Sequence, residues 1–228
     1  MALKEKPNGT TPGELVIVHE RGQYQNDKDW LAQLKELIPL TLDLPQISIQ
    51  IRDKRIDVSQ KDKLQLTLEA KKLVLHRRPD KYPNIAFNLS LREASELGIS
   101  TVHLSEKNLM QTKEKQALKT KLLSASIHSL QSAHHANRIG VEYVIYGPIY
   151  TPASAPKRAT GIESLRKLTK LSPLPVIAIG GMKPDRIPEI LDAGARGIGA
   201  ITLFTQTDRV AAIGECLNQL QIPPKRNP

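Results

Sequence analysis

Eight short apolar runs alternate with eight helical patterns along this chain, and that alternation limits the fold more than any other feature. The runs are 15–18, 47–51, 84–88, 101–104, 122–126, 142–146, 175–179 and 198–202. Many of their residues are β-branched, and Gly, Pro, Ser or Asp flank them, as expected of buried strands. Between the first two runs, Trp30, Leu31, Leu34, Leu37 and Ile38 share a helix face, with Asp27 or Asp29 as the cap. Ser59 opens a second helix over Leu64, Leu66, Leu68, Leu73 and Val74, and Ser90 caps a third that stops near Gly98. A weaker pattern covers Gln111 to Lys119, and Ser129 starts a helix closed by Gly140. Three more are expected from Gly161 to Lys170, Pro184 to Ala193 and Asp208 to Leu220. Strict strand–helix alternation favours right-handed crossovers and a parallel sheet. Eight such units in 228 residues predict an α/β protein with a single (β/α)8 TIM barrel over 14–221. Residues 1–13 read as a disordered lead-in and 222–228 as a tail.

Composition narrows the partners. Charged residues are 25% and hydrophobic residues 39%, ordinary for a chain that buries a core. No apolar run approaches a membrane span, and the first residues lack the apolar core of a secretory signal. The single cysteine, Cys216, cannot form an internal disulfide, which agrees with a cytoplasmic location. The net charge of +10 permits anionic partners. Aromatics are only 4%, however, and the densest basic cluster (Lys71, Lys72, His76, Arg77, Arg78) lies at a helix end where cations are ordinary. An anionic small molecule is therefore expected, with neither nucleic acid nor membrane as partner. A homodimer is left open.

In such a barrel the site lies at the C-terminal ends of the strands. Those ends carry Glu20, then Gln50, Arg52 and Lys54, then Asn88, Ser105, His128, Gly147, Gly180-Gly181 and Thr202. The stretch from Val176 to Ile187 is an apolar strand, a glycine turn and a helix start at Pro184-Asp185. Gly180 and Gly181, with Ile201 and Thr202 beyond Gly199, form a candidate phosphate cup. The competing reading makes these packing glycines. Gln50, Arg52 and Lys54 are two apart and point one way along an extended segment, as a phosphate or pyrophosphate clamp needs. A solvated charged turn is the alternative, since Asp53 and Arg55 alternate with them. His128 suits general acid–base work at neutral pH, or else caps a helix beside Ser129. His103 reads as a satisfied core residue, His134 and His135 as surface, and His19 as a strand-top residue with no obvious partner. No zinc spacing, P-loop or nucleophile elbow is present.

Four segments carry a resemblance. Gln50-Ile-Arg-Asp-Lys54, Ser126-Ile-His-Ser129, Tyr143-Val-Ile-Tyr-Gly-Pro-Ile-Tyr150 and Pro175-Val-Ile-Ala-Ile-Gly-Gly-Met182 occur in this order. Together, over roughly 14 to 220, they resemble the thiamine phosphate synthase superfamily, which includes the thiazole tautomerases. In the synthase branch a pyrimidine methyl pyrophosphate loses pyrophosphate to a thiazole phosphate nitrogen. The resemblance implies that Gln50, Arg52 and Lys54 hold the pyrophosphate, with Asn88, Ser126, Gly147 and Thr151 among the substrate contacts. It also implies Mg²⁺ on two aspartates, and here those positions are Leu89 and Asn108. The loop Thr151-Pro-Ala-Ser-Ala-Pro-Lys157 only partly matches the synthase pattern. The tautomerase branch needs no metal, and its histidine matches His128. The resemblance thus points to a metal-independent thiazole tautomerase-like isomerase acting on a thiazole carboxylate phosphate. The alternatives are a Mg²⁺-dependent thiamine phosphate synthase and a non-catalytic thiazole phosphate binder. No cofactor is expected, and Mg²⁺ only under the synthase reading.

Overall fold

A computed structural model describes residues 15–44, 46–76, 84–112, 120–151, 159–205 and 208–220. The expected lead-in and tail lie outside the described residues, as do Arg77, Arg78, Lys157 and the stretch from 113 to 119. Eight strands are formed: β1 (Leu15–Glu20), β2 (Ile47–Arg52), β3 (Ile85–Asn88), β4 (Thr101–Leu104), β5 (Leu122–Ile127), β6 (Tyr143–Tyr146), β7 (Val176–Ile179) and β8 (Gly197–Ala200). Each is followed by a helix: α1 (Asp27–Asp43), α2 (Gln60–His76), α3 (Leu91–Glu96), α4 (Glu106–Gln111), α5 (Leu130–Arg138), α6 (Ile162–Leu171), α7 (Ile187–Asp192) and α8 (Arg209–Gln219). Neighbouring strands pair in parallel, and β1 also pairs with β8, so the sheet closes into the expected (β/α)8 barrel.

Two apolar layers hold it. Val16, Val18, Ala86, Tyr143, Ile145 and Ile177 fill the barrel, with Ile179 and Ile201 packed against them. The alternate strand residues, such as Ile17, Ile49, Phe87, Val102 and Leu104, face outward and meet Trp30, Leu34, Leu109 and Ile187 of the helices. The period of two thus sends one side of every strand into the ring and the other under the helices. It also decides which strand-top residues reach the mouth. Glu20, Gln50, Arg52 and Asn88 share the inward phase with Val16, Val18 and Ala86.

Several boundaries differ from the sequence expectation. Helix α1 is capped by Asn26, whose side chain accepts from the Asp29 amide, rather than by either aspartate. Helix α4 begins after Ser105, whose hydroxyl accepts from the Asn108 amide, five residues before the expected Gln111. Its apolar signal is the single buried Leu109, too sparse for a periodicity to register. Strand β8 ends at Ala200, and Thr202 opens a 3-10 turn through Phe204. Strand β1 runs on to Glu20, so His19 and Glu20 lie in the ladder rather than beyond it.

Candidate active site

At the β1–β2 side of the mouth, Glu20 and Arg52 are direct partners in the parallel register. Their side chains form a short ion pair, and the same carboxylate accepts from the amides of Gly22 and Lys54 at 3.3 and 3.2 Å. Arg52 is therefore anchored, and the charge it shows a ligand is already shared with a carboxylate. Gln50 lies one pleat deeper, 3% exposed, and its Nε2 donates to no group among the described residues. Buried donors are ordinarily paired, so this amide is available to a ligand acceptor. Asn88 stands in register with His103 and lines a small cavity with Arg52.

On the next strand, His103 bonds Ser124 Oγ at 2.9 Å and Ser126 Oγ at 2.8 Å, one serine per imidazole nitrogen. It is fully buried, as the core reading anticipated. Burial, with the charges of Arg52 and Lys54, pushes its pKa down to about 3, so it stays neutral. Ser126 thus reaches the mouth as a hydroxyl whose orientation is set by an imidazole.

His128 sits just beyond β5, exposed at the mouth. Its Nδ1 lies 3.0 Å from the Gly147 carbonyl, so Nδ1 carries a proton, and in the neutral ring Nε2 is the nitrogen with the lone pair. Its amide donates to Glu106 Oε1 at 2.8 Å. The capping box that follows is made by Ser129 and Ser132, so His128 itself is not the cap.

The other two histidine expectations need correction. His19 has partners: Nε2 is 2.9 Å from the Trp30 carbonyl, Tyr24 Oη is 3.1 Å from Nδ1, and the ring stacks on Trp30 at 5.2 Å. Burial lowers its pKa to about 4. His135 is half-buried, and its Nε2 meets the Leu109 and Thr112 carbonyls at the end of α4. His134 is exposed, as anticipated.

On the β7–β8 side, Gly181, Thr202, Thr151, Lys183 and Arg186 line one open cleft. Gly180 and Gly181 have φ of 102° and 61°, the left-handed region that favours glycine. A Cβ on Gly180 would also collide with Pro148, and one on Gly181 would stand 2.8 Å from Tyr150 Cβ. The packing reading of these glycines therefore holds: the turn lies flat on the β6 loop because neither residue has a side chain. Gly180→Ala is expected to lower stability by more than ~1 kcal/mol, since an incompatible φ and a backbone collision combine; a urea denaturation midpoint measures it. Ile201 does not reach this cleft and packs inside the barrel.

The structure thus brings the nominated residues into three groups around one rim: Gln50, Arg52 and Asn88 (with the exposed Lys54 at its edge), then Ser126, His128 and Gly147, then Gly181, Thr202 and Thr151. Sequence reading missed four contributors. Glu20 reads in the sequence only as a strand-top residue, because its pairing depends on register. Glu106, Tyr150 and Arg186 act through contacts between loops, for which no local pattern exists.

The closed parallel barrel defines the (β/α)8 class, with polar strand tops and a glycine-turn cleft beside the eighth strand. The profile of the family described as thiamine monophosphate synthase matches residues 15–204, and the chain belongs to that family. The thiamine-phosphate synthase of Chloroflexus aurantiacus is 30% identical over 121 residues, 52% of this chain and 56% of that protein. That of Synechococcus sp. (strain CC9605) is 38% identical over 105 residues, 44% of this chain and 30% of that protein. The chain thus spans about half or less of these curated relatives' length. The thiamine-phosphate synthase of Caldicellulosiruptor bescii is 29% identical over 178 residues, 77% of this chain and 78% of that protein. Among solved structures, thiamine phosphate pyrophosphorylase from Pyrococcus furiosus superposes with a TM-score of 0.64 at 20% identity, covering 91% of this chain and 95% of that one. At that identity the likeness shows the fold alone. The 3-keto-L-gulonate-6-phosphate decarboxylase of Vibrio cholerae fits nearly as well, at 0.62 and 13%, covering 92% and 98%.

The donor set does not fit the Mg²⁺ that the synthase resemblance implies. Leu89 is 7% exposed and packed in the outer apolar layer. Asn108 is a neutral amide, a poor ligand for a hard cation. The mouth carboxylates Glu20 and Glu106 already accept from Arg52 and from the His128 amide. Among the described residues, no three His, Cys, Asp or Glu side chains are grouped to hold a metal ion. No helix described is long and apolar enough to cross a membrane.

Proposed function

We propose that the chain is a thiamine-biosynthesis enzyme that moves one proton on a thiazole carboxylate phosphate, with His128 as acid and base and no metal ion. The observation that carries this reading is the fixed tautomer of His128. The Gly147 carbonyl accepts the hydrogen bond from Nδ1–H, so that in the neutral ring the lone pair is on Nε2. A neutral imidazole so held accepts a substrate proton and returns it to another atom, which is all that the step requires. The cleft of Gly181, Thr202 and Lys183 receives the phosphate, Arg52 and Lys54 lie towards the carboxylate, and Gln50 Nε2 supplies a buried donor. Leucine and asparagine at positions 89 and 108 support a reaction without Mg²⁺.

A second reading has its own support. The names carried by the relatives favour the coupling of a pyrimidine methyl pyrophosphate to thiazole phosphate over proton transfer. Gln50, Arg52 and Lys54 would then hold the departing pyrophosphate. Purified protein given both substrate sets, with and without Mg²⁺, separates the two by product mass. Conversion of the carboxylated tautomer in the presence of a chelator is the expected result. Thiamine phosphate formed only with Mg²⁺ overturns it in favour of coupling. Tight thiazole phosphate binding without turnover in either assay identifies a non-catalytic binder.

A further inference from the structure

We propose that Arg186 is a positioning residue that sets the phosphate affinity of the β7–β8 cleft by fixing its glycine turn against Tyr150. The proposal rests on the phosphate reading of that cleft. Arg186 lines the cleft, and its Nη1 donates to the Gly181 carbonyl in a short hydrogen bond. Its guanidinium lies 4.2 Å from the centre of the Tyr150 ring. Tyr150 in turn donates its hydroxyl to Glu189 Oε2 at 2.6 Å, and its amide donates to the Gly180 carbonyl at 3.1 Å. Both carbonyls of the turn are therefore held, one by Tyr150 and one by Arg186. In a trans peptide the N–H points opposite to the C=O. Fixing the Gly180 and Gly181 carbonyls thus fixes the directions of the Gly181 and Met182 amides, the donors that a glycine-turn anion site uses. Glycine resists such fixing more than any other residue, so an external clamp has most effect here.

Charge alone does not account for the arrangement. Lysine would keep the positive charge but lacks the planar group that stacks on an aromatic face while donating sideways to a carbonyl. A Lys substitution therefore separates a clamp from a simple cation. The experiment is calorimetric titration of the full chain with inorganic phosphate, beside steady-state kinetics on the phosphorylated thiazole. Wild type is expected to bind phosphate. R186K and R186A are expected to weaken it alike, by about tenfold, the effect of one charge-assisted hydrogen bond. KM should rise with kcat unchanged, a split that general loss of fold would not produce. Y150F keeps the ring and loses only the Glu189 bond, so a smaller loss in the same direction is expected. R186K binding phosphate like wild type would overturn the proposal and leave the cleft reading standing. Absence of phosphate binding by wild type would remove both. If R186K does not fold, Y150F decides, and unchanged affinity in that variant overturns the clamp.

Discussion

Replacing His128 with alanine is expected to slow tautomer conversion by roughly 10²- to 10⁴-fold while the thiazole phosphate still binds. The geometry separates the two effects. The cleft proposed for the phosphate is lined chiefly by the loops after β7 and β8, whereas the ring of His128 bonds the Gly147 carbonyl, which is not among the residues lining it. The backbone at 128 is held independently of the ring, by Glu106 on its amide and by the Ser129–Ser132 capping box after it. Removing the imidazole therefore removes the proton carrier and its hydrogen bond to the Gly147 carbonyl, and leaves the hold on the backbone at 128 in place. Single-turnover kinetics with a separate binding titration measures both quantities. Full activity in H128A would assign the proton transfer to another group. A variant that neither binds nor turns over would mean that the ring supports the mouth instead.

Acid is expected to unfold this protein through two histidines that the proposed reaction does not use. His19 and His103 have folded pKa values near 4 and 3, against an ordinary value of 6.5. Both are held neutral by burial, so the unfolded chain binds more protons than the folded one below pH 6.5. Their contribution to stability is fully present above that pH. It is lost as the pH falls, towards 4 for His19 and towards 3 for His103. Each contributes a slope of about 1.4 kcal/mol per pH unit within its window. Together they remove several kcal/mol, a large share of the ~5–15 kcal/mol that folded domains have. Urea midpoints at pH 7.5, 5.5 and 4.5 should fall steadily, and His19→Gln should flatten the slope. A midpoint constant over that range would show that these rings are not neutral and enclosed.

Much of this was legible from the residues. The eight strands, the ring and the polar rim follow from periodicity, because apolar spacing is a local signal that burial imposes everywhere. His103 was legible too, since a histidine within an apolar strand either finds partners or is not tolerated. What escaped depends on register and on contacts between loops. The sequence contains Glu20 and Arg52 as two charges far apart, and only the parallel pairing of β1 and β2 makes them neighbours. His19 finds Trp30 because α1 folds back over β1, and Tyr150 meets Arg186 because two loops lie flat on two glycines. The α4 boundary escaped for a different reason. Its cap is a serine followed by a glutamate, a lysine and an asparagine, with one buried leucine, and short polar helices leave almost no periodic trace.

Leu15 pairs with Ile198, so the ring closes between the first strand made and the last. During synthesis on the ribosome, β2 covers one side of β1 early. The other side keeps its backbone donors and acceptors unmatched until nearly the whole barrel has emerged. That edge belongs to a strand buried along its entire length in the finished molecule. The nascent barrel thus carries an open, apolar β edge from the making of β1 until β8 emerges, the kind of surface that neighbouring chains pair with and that chaperones exist to shield.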